Sequence, residues 1–92
     1  MLLTDYLKAE RGRVAIVARR VRLHPAFVSQ VANGRRPVPV DRAADFEAAS
    51  DGQVRRWHMF PDTWHRVWPE LIGAEGAPPV PVDEPQEVRD AA

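Results

Sequence analysis

The stretch that decides the fold is Val14-Ala-Ile-Val-Ala-Arg-Arg-Val-Arg-Leu-His-Pro-Ala-Phe-Val-Ser-Gln-Val-Ala-Asn-Gly34. Val14, Val17, Ala18 and Val21 stand at i, i+3, i+4 and i+7, which is one face of a helix. That pattern breaks at Arg22 and Leu23. His24-Pro25 reads as a new helix start, because proline at a first helical position gives up an N–H that has no partner there anyway. Phe27, Val28, Val31 and Ala32 then recur at helical spacing. Asn33-Gly34 supplies residues that tolerate positive φ where that helix ends. The stretch predicts two short helices joined by a tight turn.

Ala26, Ser29, Gln30 and Asn33 fall on the side of the second helix opposite Val28 and Val31. They are small, or they carry hydroxyl and amide groups of the kind that pair with base edges in a major groove, Asn and Gln with adenine in particular. Arg11, Arg13, Arg19, Arg20, Arg22, Arg35 and Arg36 surround them, and residues 11–36 contain no Asp or Glu. Two solvated helices with ordinary polar faces would explain any one of these features. A helix pair, a small polar face and a rim of one sign together point to a DNA-binding helix-turn-helix.

Ninety-two residues allow one small domain with a thin core. There is no cysteine, so disulfides and thiolate metal sites are excluded, which suits a reducing, cytoplasmic setting. The start, Met1-Leu-Leu-Thr-Asp-Tyr, has neither the basic region nor the apolar run of a signal peptide. No stretch approaches the roughly 20 apolar residues of a membrane span. The formal net charge of zero hides an asymmetry. Residues 1–60 hold 11 Lys and Arg against 6 Asp and Glu, whereas residues 61–92 hold 2 against 7. The positive half contains the helix-turn-helix.

Outside the central stretch, Thr4 reads as an N-cap for a first helix reaching to about Arg11, with Leu3, Tyr6 and Leu7 inward. Gly12 separates it from the next helix. After Gly34, Pro37 and Pro39 forbid a helix and stiffen the connection, holding Arg35 and Arg36 where phosphates would lie. Asp41 is expected to cap a helix from Arg42 to about Ser50, with Val40, Ala43, Phe46 and Ala49 inward, stopped by Asp51-Gly52. Asp45 and Glu47 read as isolated carboxylates on a charged helix face.

Residues 53–72 carry Trp57, Phe60, Trp64 and Trp68. They predict a helical turn around Arg55–Met59, then a helix capped by Asp62 and stopped before Pro69, with Trp64, Val67 and Trp68 on one face. Rings of this size must cover other helices, or part of the cluster forms an oligomer or partner interface. Residues 73–92 are rich in Pro, Gly and acid and lack aromatics, so a disordered or extended tail is expected beyond a 1–72 domain. Val80 and Val82 are candidates for docking on a partner, and the acidic tail is a candidate competitor for the basic face.

With these residues in hand, the chain resembles the small Cro/CI-like helix-turn-helix regulators of phages and prophages, and most closely the YdaS-type group. The resemblance spans about residues 2 to 72. Its carriers are Val14–Val21, Leu23 to Gly34, Pro37–Pro39, Asp41–Phe46, and Val54 to Trp68 with its Phe60-Pro61-Asp62. It implies an all-α, lambda-repressor-like domain of four to five short helices, sequence-specific binding of duplex DNA, and transcriptional repression. By motif position, His24, Pro25, Ala26, Ser29, Gln30 and Asn33 fall where such proteins face the groove. Ala18, Leu23, Val28 and Val31 fall where the two helices meet. Arg22 stands where the turn commonly has glycine, and a left-handed non-glycine residue costs roughly 1–2 kcal/mol. Either the turn differs here, or Arg22 takes that conformation and gains a phosphate contact. Phe60 stands where an arginine is often seen.

The expected function is therefore a DNA-binding repressor, acting as a homodimer or higher homo-oligomer on half-sites about 34 Å apart. Base contacts are expected from the six residues named for the groove, and phosphate contacts from Arg13, Arg19, Arg22, Arg35 and Arg36. The resemblance also implies an alternative, because the group includes antitoxins: a module that binds a toxin protein through the Trp-rich segment or tail. An enzyme is the weakest reading. His24, His58 and His65 show no metal-ligand spacing, no nucleophile–base pattern is visible, and no cofactor or metal is implied.

Overall fold

A computed structural model describes residues 1–81. The fold is all-α: α1 (Leu3–Lys8), α2 (Arg13–Val21), α3 (Pro25–Ala32), α4 (Ala43–Ala49), α5 (Arg56–Met59) and α6 (Trp64–Val67). Single 3-10 turns at Val40–Arg42 and Pro69–Leu71 precede α4 and follow α6, and no strand occurs among the described residues. The expected helical class holds, with six short helices in place of the expected four or five.

The α2–α3 pair is built as the apolar spacing dictates. Val17, Ala18 and Val21 of α2 and Val28, Val31 and Ala32 of α3 are all buried in one core. Ala18 is 1% exposed, and its single methyl lets the two backbones come close. The turn resolves the choice at Arg22 in favour of the left-handed conformation, at φ 62° and ψ 41°. The Leu23 N–H donates back to Ala18 O at 3.1 Å. A residue there with negative φ would carry the chain onward as helix, so the bend requires this conformation despite its cost.

α1 and α4 close the same core. Leu3, Tyr6 and Leu7 from α1, Phe46 and Ala49 from α4, and Val54 beyond it are buried with the α2–α3 residues. Each large apolar side chain among them contributes roughly 1.5–3 kcal/mol by leaving water. Arginines tie the layers together at their edges. Arg13 of α2 stacks 4.1 Å over the Tyr6 ring and donates to Tyr6 O at 3.1 Å. Arg20 donates to Ala49 O at 2.9 Å, and Arg42 donates to Val21 O at 2.6 Å. Buried Ser50 closes α4: its Oγ donates to Glu47 O and accepts the Val54 N–H, both at 2.9 Å.

Several local expectations are corrected. Thr4 is not the N-cap of α1; Leu2 holds that position, without a side-chain cap. The helix stops at Lys8 rather than near Arg11, because the chain must turn through Gly12 at φ 84° to enter α2. Asp41 lies inside the 3-10 turn and Arg42 precedes α4, so no carboxylate caps it. Thr63, not Asp62, precedes α6. Val40 (49% exposed) faces out, not in, and Val67 (41% exposed) does not share the burial of Trp64. The 3-10 turn carries Val40 away from the core. α6 is one turn long, and Trp68 leaves helical geometry at φ −127°, ψ 71°, leaving Val67 uncovered.

The Trp-rich segment forms a second core. Trp57, Trp64 and Leu71 are buried, with Phe60, Trp68 and Ala77 packed against them. The Trp57 and Trp64 rings meet edge to face at 5.8 Å, and Phe60 and Trp68 are tilted at 5.6 Å. The aromatic cluster is thus largely internal, and Trp57 and Trp64 have little surface left for a partner. Ala77 extends the packing past the expected boundary at residue 72. Glu47 joins this core to the first by pairing with Arg55 at 2.6 Å and Arg56 at 2.8 Å. It is therefore a structural junction and not an isolated surface carboxylate. Val82 and most of the acidic tail lie outside the described residues.

Candidate nucleic-acid interface

α3 is positioned by caps at both ends. His24 Nδ1 accepts the Ala26 N–H at 3.0 Å, and Pro25 occupies the first turn. At the other end Gly34 adopts φ 74°. Gly34 N–H donates to Val31 O at 3.1 Å and Arg35 N–H to Gln30 O at 2.9 Å, a Schellman closure that turns the chain sharply at the helix end. α3 is thereby fixed in length, with its apolar side seated on α2.

The opposite side carries the residues expected to face a groove. His24, Pro25, Ala26, Gln30 and Asn33 are exposed and Ser29 is half-buried. Their spacing puts Ala26, Ser29, Gln30 and Asn33 on one stripe, with His24 and Pro25 at its leading end. His24 is partly committed, since its Nδ1 caps the helix by accepting the Ala26 N–H. Gln30 is also partly committed: its Oε1 accepts from Arg36 Nε at 2.8 Å.

The expected phosphate arginines divide into two sets. Arg19, Arg22 and Arg35 are exposed, and none has an ion pair or side-chain hydrogen bond among the described residues. Arg22 flanks the start of α3 and Arg35 its end. Arg13 is placed differently from the expectation. Its guanidinium stacks on Tyr6, donates to Tyr6 O and pairs with Glu10 at 3.1 Å, so it closes α1 onto α2 instead of facing solvent. Arg36 is held over Phe27, 4.8 Å from the ring centroid.

Of the aromatic residues named as a possible interface, Phe60 and Trp68 alone keep partial exposure. Arg56 covers part of Trp68, at 5.4 Å from its ring. His58 is half-buried and accepts the Arg55 N–H through Nδ1 at 2.9 Å. Its pKa is lowered, first by burial, then by the positive amino terminus and Arg55, with Glu47 opposing. His65 is half-buried, and its Nδ1 is buried without a hydrogen-bond partner among the described residues. Among the described residues no three His, Asp or Glu side chains gather as a metal site, and no helix is long and apolar enough to cross a membrane.

Three contributors do not show in the sequence pattern: Phe27 as a platform for Arg36, the Gln30–Arg36 bond, and the use of Arg20 and Arg42 on backbone carbonyls. Gly34 is the available signal for the first two, because a Schellman end brings the following residues back over the last helical turn. No family model matches this chain, and no curated protein matches it.

Proposed function

We propose that this chain is a sequence-specific binder of duplex DNA that regulates transcription, with α3 entering the major groove. One observation carries the reading. The exposed polar stripe of α3 is bracketed by the exposed arginines Arg22 and Arg35, in a stretch (residues 11–36) that holds no carboxylate side chain. Short polar side chains on a helix suit base edges, and arginines at both ends suit the phosphates on either side of the groove. Arg19 adds positive charge from α2. The resemblance to phage regulators supports repression as the outcome and a symmetric dimer as the bound form.

The test is anisotropy titration against the DNA upstream of its own coding sequence and against a scrambled duplex, each across a salt series. A preference of about a thousandfold or more for one duplex, with affinity falling steeply as salt rises, supports the reading. Absence of binding to either duplex at low salt contradicts it.

A protein-partner role keeps narrower support. Val67 and Ile72, both exposed, lie close in the chain to half-buried Trp68 and the second core. That apolar surface suits a toxin or a second copy of the chain. Loss of a partner complex on Val67→Glu, with DNA binding retained, would separate the two roles.

A further inference from the structure

Gln30 does not present a whole amide to solvent. Arg36 Nε donates to its Oε1 at 2.8 Å, while the Arg36 guanidinium lies over Phe27 with Cζ 4.8 Å from the ring centroid. The backbone brings the three together: the Gly34 turn, closed by Arg35 N–H to Gln30 O at 2.9 Å, folds residues 35 and 36 back over the end of α3. Arginine has only donors, so the amide must turn its oxygen toward Arg36 and its NH2 outward.

This arrangement changes what Gln30 can read. The two-point match of glutamine to adenine needs an acceptor for N6 and a donor for N7. Arg36 takes one of the two lone pairs of Oε1 and turns the oxygen toward itself, so adenine N6 would have to share that acceptor with the guanidinium. The Gln30 NH2 and the Arg36 guanidinium nitrogens other than Nε, all of them donors, make no hydrogen bond among the described residues. Guanine presents two acceptors, O6 and N7, in the major groove. Among the described residues no carboxylate pairs with Arg36.

We infer that Gln30 and Arg36 form one donor-rich unit that selects guanine in the major groove. The inference rests on the reading of α3 as the groove-entering helix. It assigns Arg36 to base recognition instead of to the phosphates, and it replaces the adenine preference that an isolated Gln30 would have.

Site selection from a random duplex library tests it, using the wild type, Gln30→Ala, Arg36→Ala and the double variant. Both side chains are exposed, so truncation leaves the core untouched. The expected result is a guanine enriched by the wild type whose enrichment disappears in either single variant, with no further loss in the double. Substituting 7-deazaguanine at that position, which removes the N7 acceptor, is expected to weaken wild-type binding by roughly 5- to 100-fold and to leave the double variant unaffected. Enrichment of adenine there, lost with Gln30→Ala but kept with Arg36→Ala, overturns the inference while leaving DNA binding standing. So does a guanine preference that survives both single substitutions. Failure of the wild type to enrich any sequence overturns the DNA reading itself, and this inference with it.

Discussion

Arg42 Nη1 donates to the carbonyl oxygen of Val21 at 2.6 Å. The bond joins the start of α4 to the last residue of α2, immediately before the left-handed Arg22. The C-terminal carbonyls of a helix have no partner within it, and a guanidinium both satisfies one and matches the negative end of the dipole. Arg42→Ala is expected to destabilise the fold by about 1–2 kcal/mol. A two-state urea titration checks this. A midpoint unchanged from wild type would show that the bond contributes nothing net.

Arg22 is expected to set stability against DNA binding at one position. Its φ of 62° carries a cost that glycine does not bear. That cost is roughly 1–2 kcal/mol, partly offset by the extra freedom glycine has when unfolded. Arg22→Gly is expected to raise the melting temperature by about 4 °C. The same change is expected to weaken binding to every duplex and to reduce the salt slope by about 0.9. Higher stability with an unchanged salt slope would remove Arg22 from the phosphate contacts.

Glu47 sits between two guanidinium groups, with a side chain only 14% exposed. Glu47→Gln removes the charge that balances Arg55 and Arg56 and is expected to cost on the order of 2 kcal/mol. The loss should be read out at the tryptophans, because Arg55 also lies over Trp57 at 4.6 Å. Denaturant melts followed by tryptophan fluorescence check it, and coincidence with the wild-type curve would contradict the junction role.

The helix-turn-helix is legible in the sequence because its information is local. The apolar spacing of Val14 to Val21 and Phe27 to Ala32, the Pro25 start and the Gly34 end each act within one turn of helix. The caps are not legible in the same way. Thr4, Asp41 and Asp62 have the right chemistry, yet packing starts each helix at a different residue. Arg13 has the charge of a phosphate contact, but its attraction to Tyr6 and Glu10 depends on how α1 meets α2, which the sequence does not display. The Glu47 junction and the Gln30–Arg36 bond are hidden for the same reason: each joins residues that only the turns bring together.

His58 gives the fold a pH dependence with a definite sign. Its pKa is lowered from the ordinary value of 6.5 by burial, the amino terminus and Arg55. The folded state therefore favours the neutral ring, whose Nδ1 accepts the Arg55 N–H. The stability it contributes is present above the ordinary value and is lost as pH falls through the lowered folded value. His58→Gln is expected to flatten stability between about pH 7 and pH 5, as measured by urea midpoints. A slope equal to that of the wild type would assign the dependence to other groups.

The most direct test of the central claim is the effect of Asn33→Ala on specific and non-specific binding, measured side by side. Asn33 is exposed on the polar stripe of α3, and no side-chain bond of its own ties it to the fold among the described residues. Affinity for the selected site is expected to fall roughly 5- to 100-fold while affinity for a scrambled duplex stays constant. Equal loss on both duplexes, or no loss on either, would contradict a base-reading role for α3.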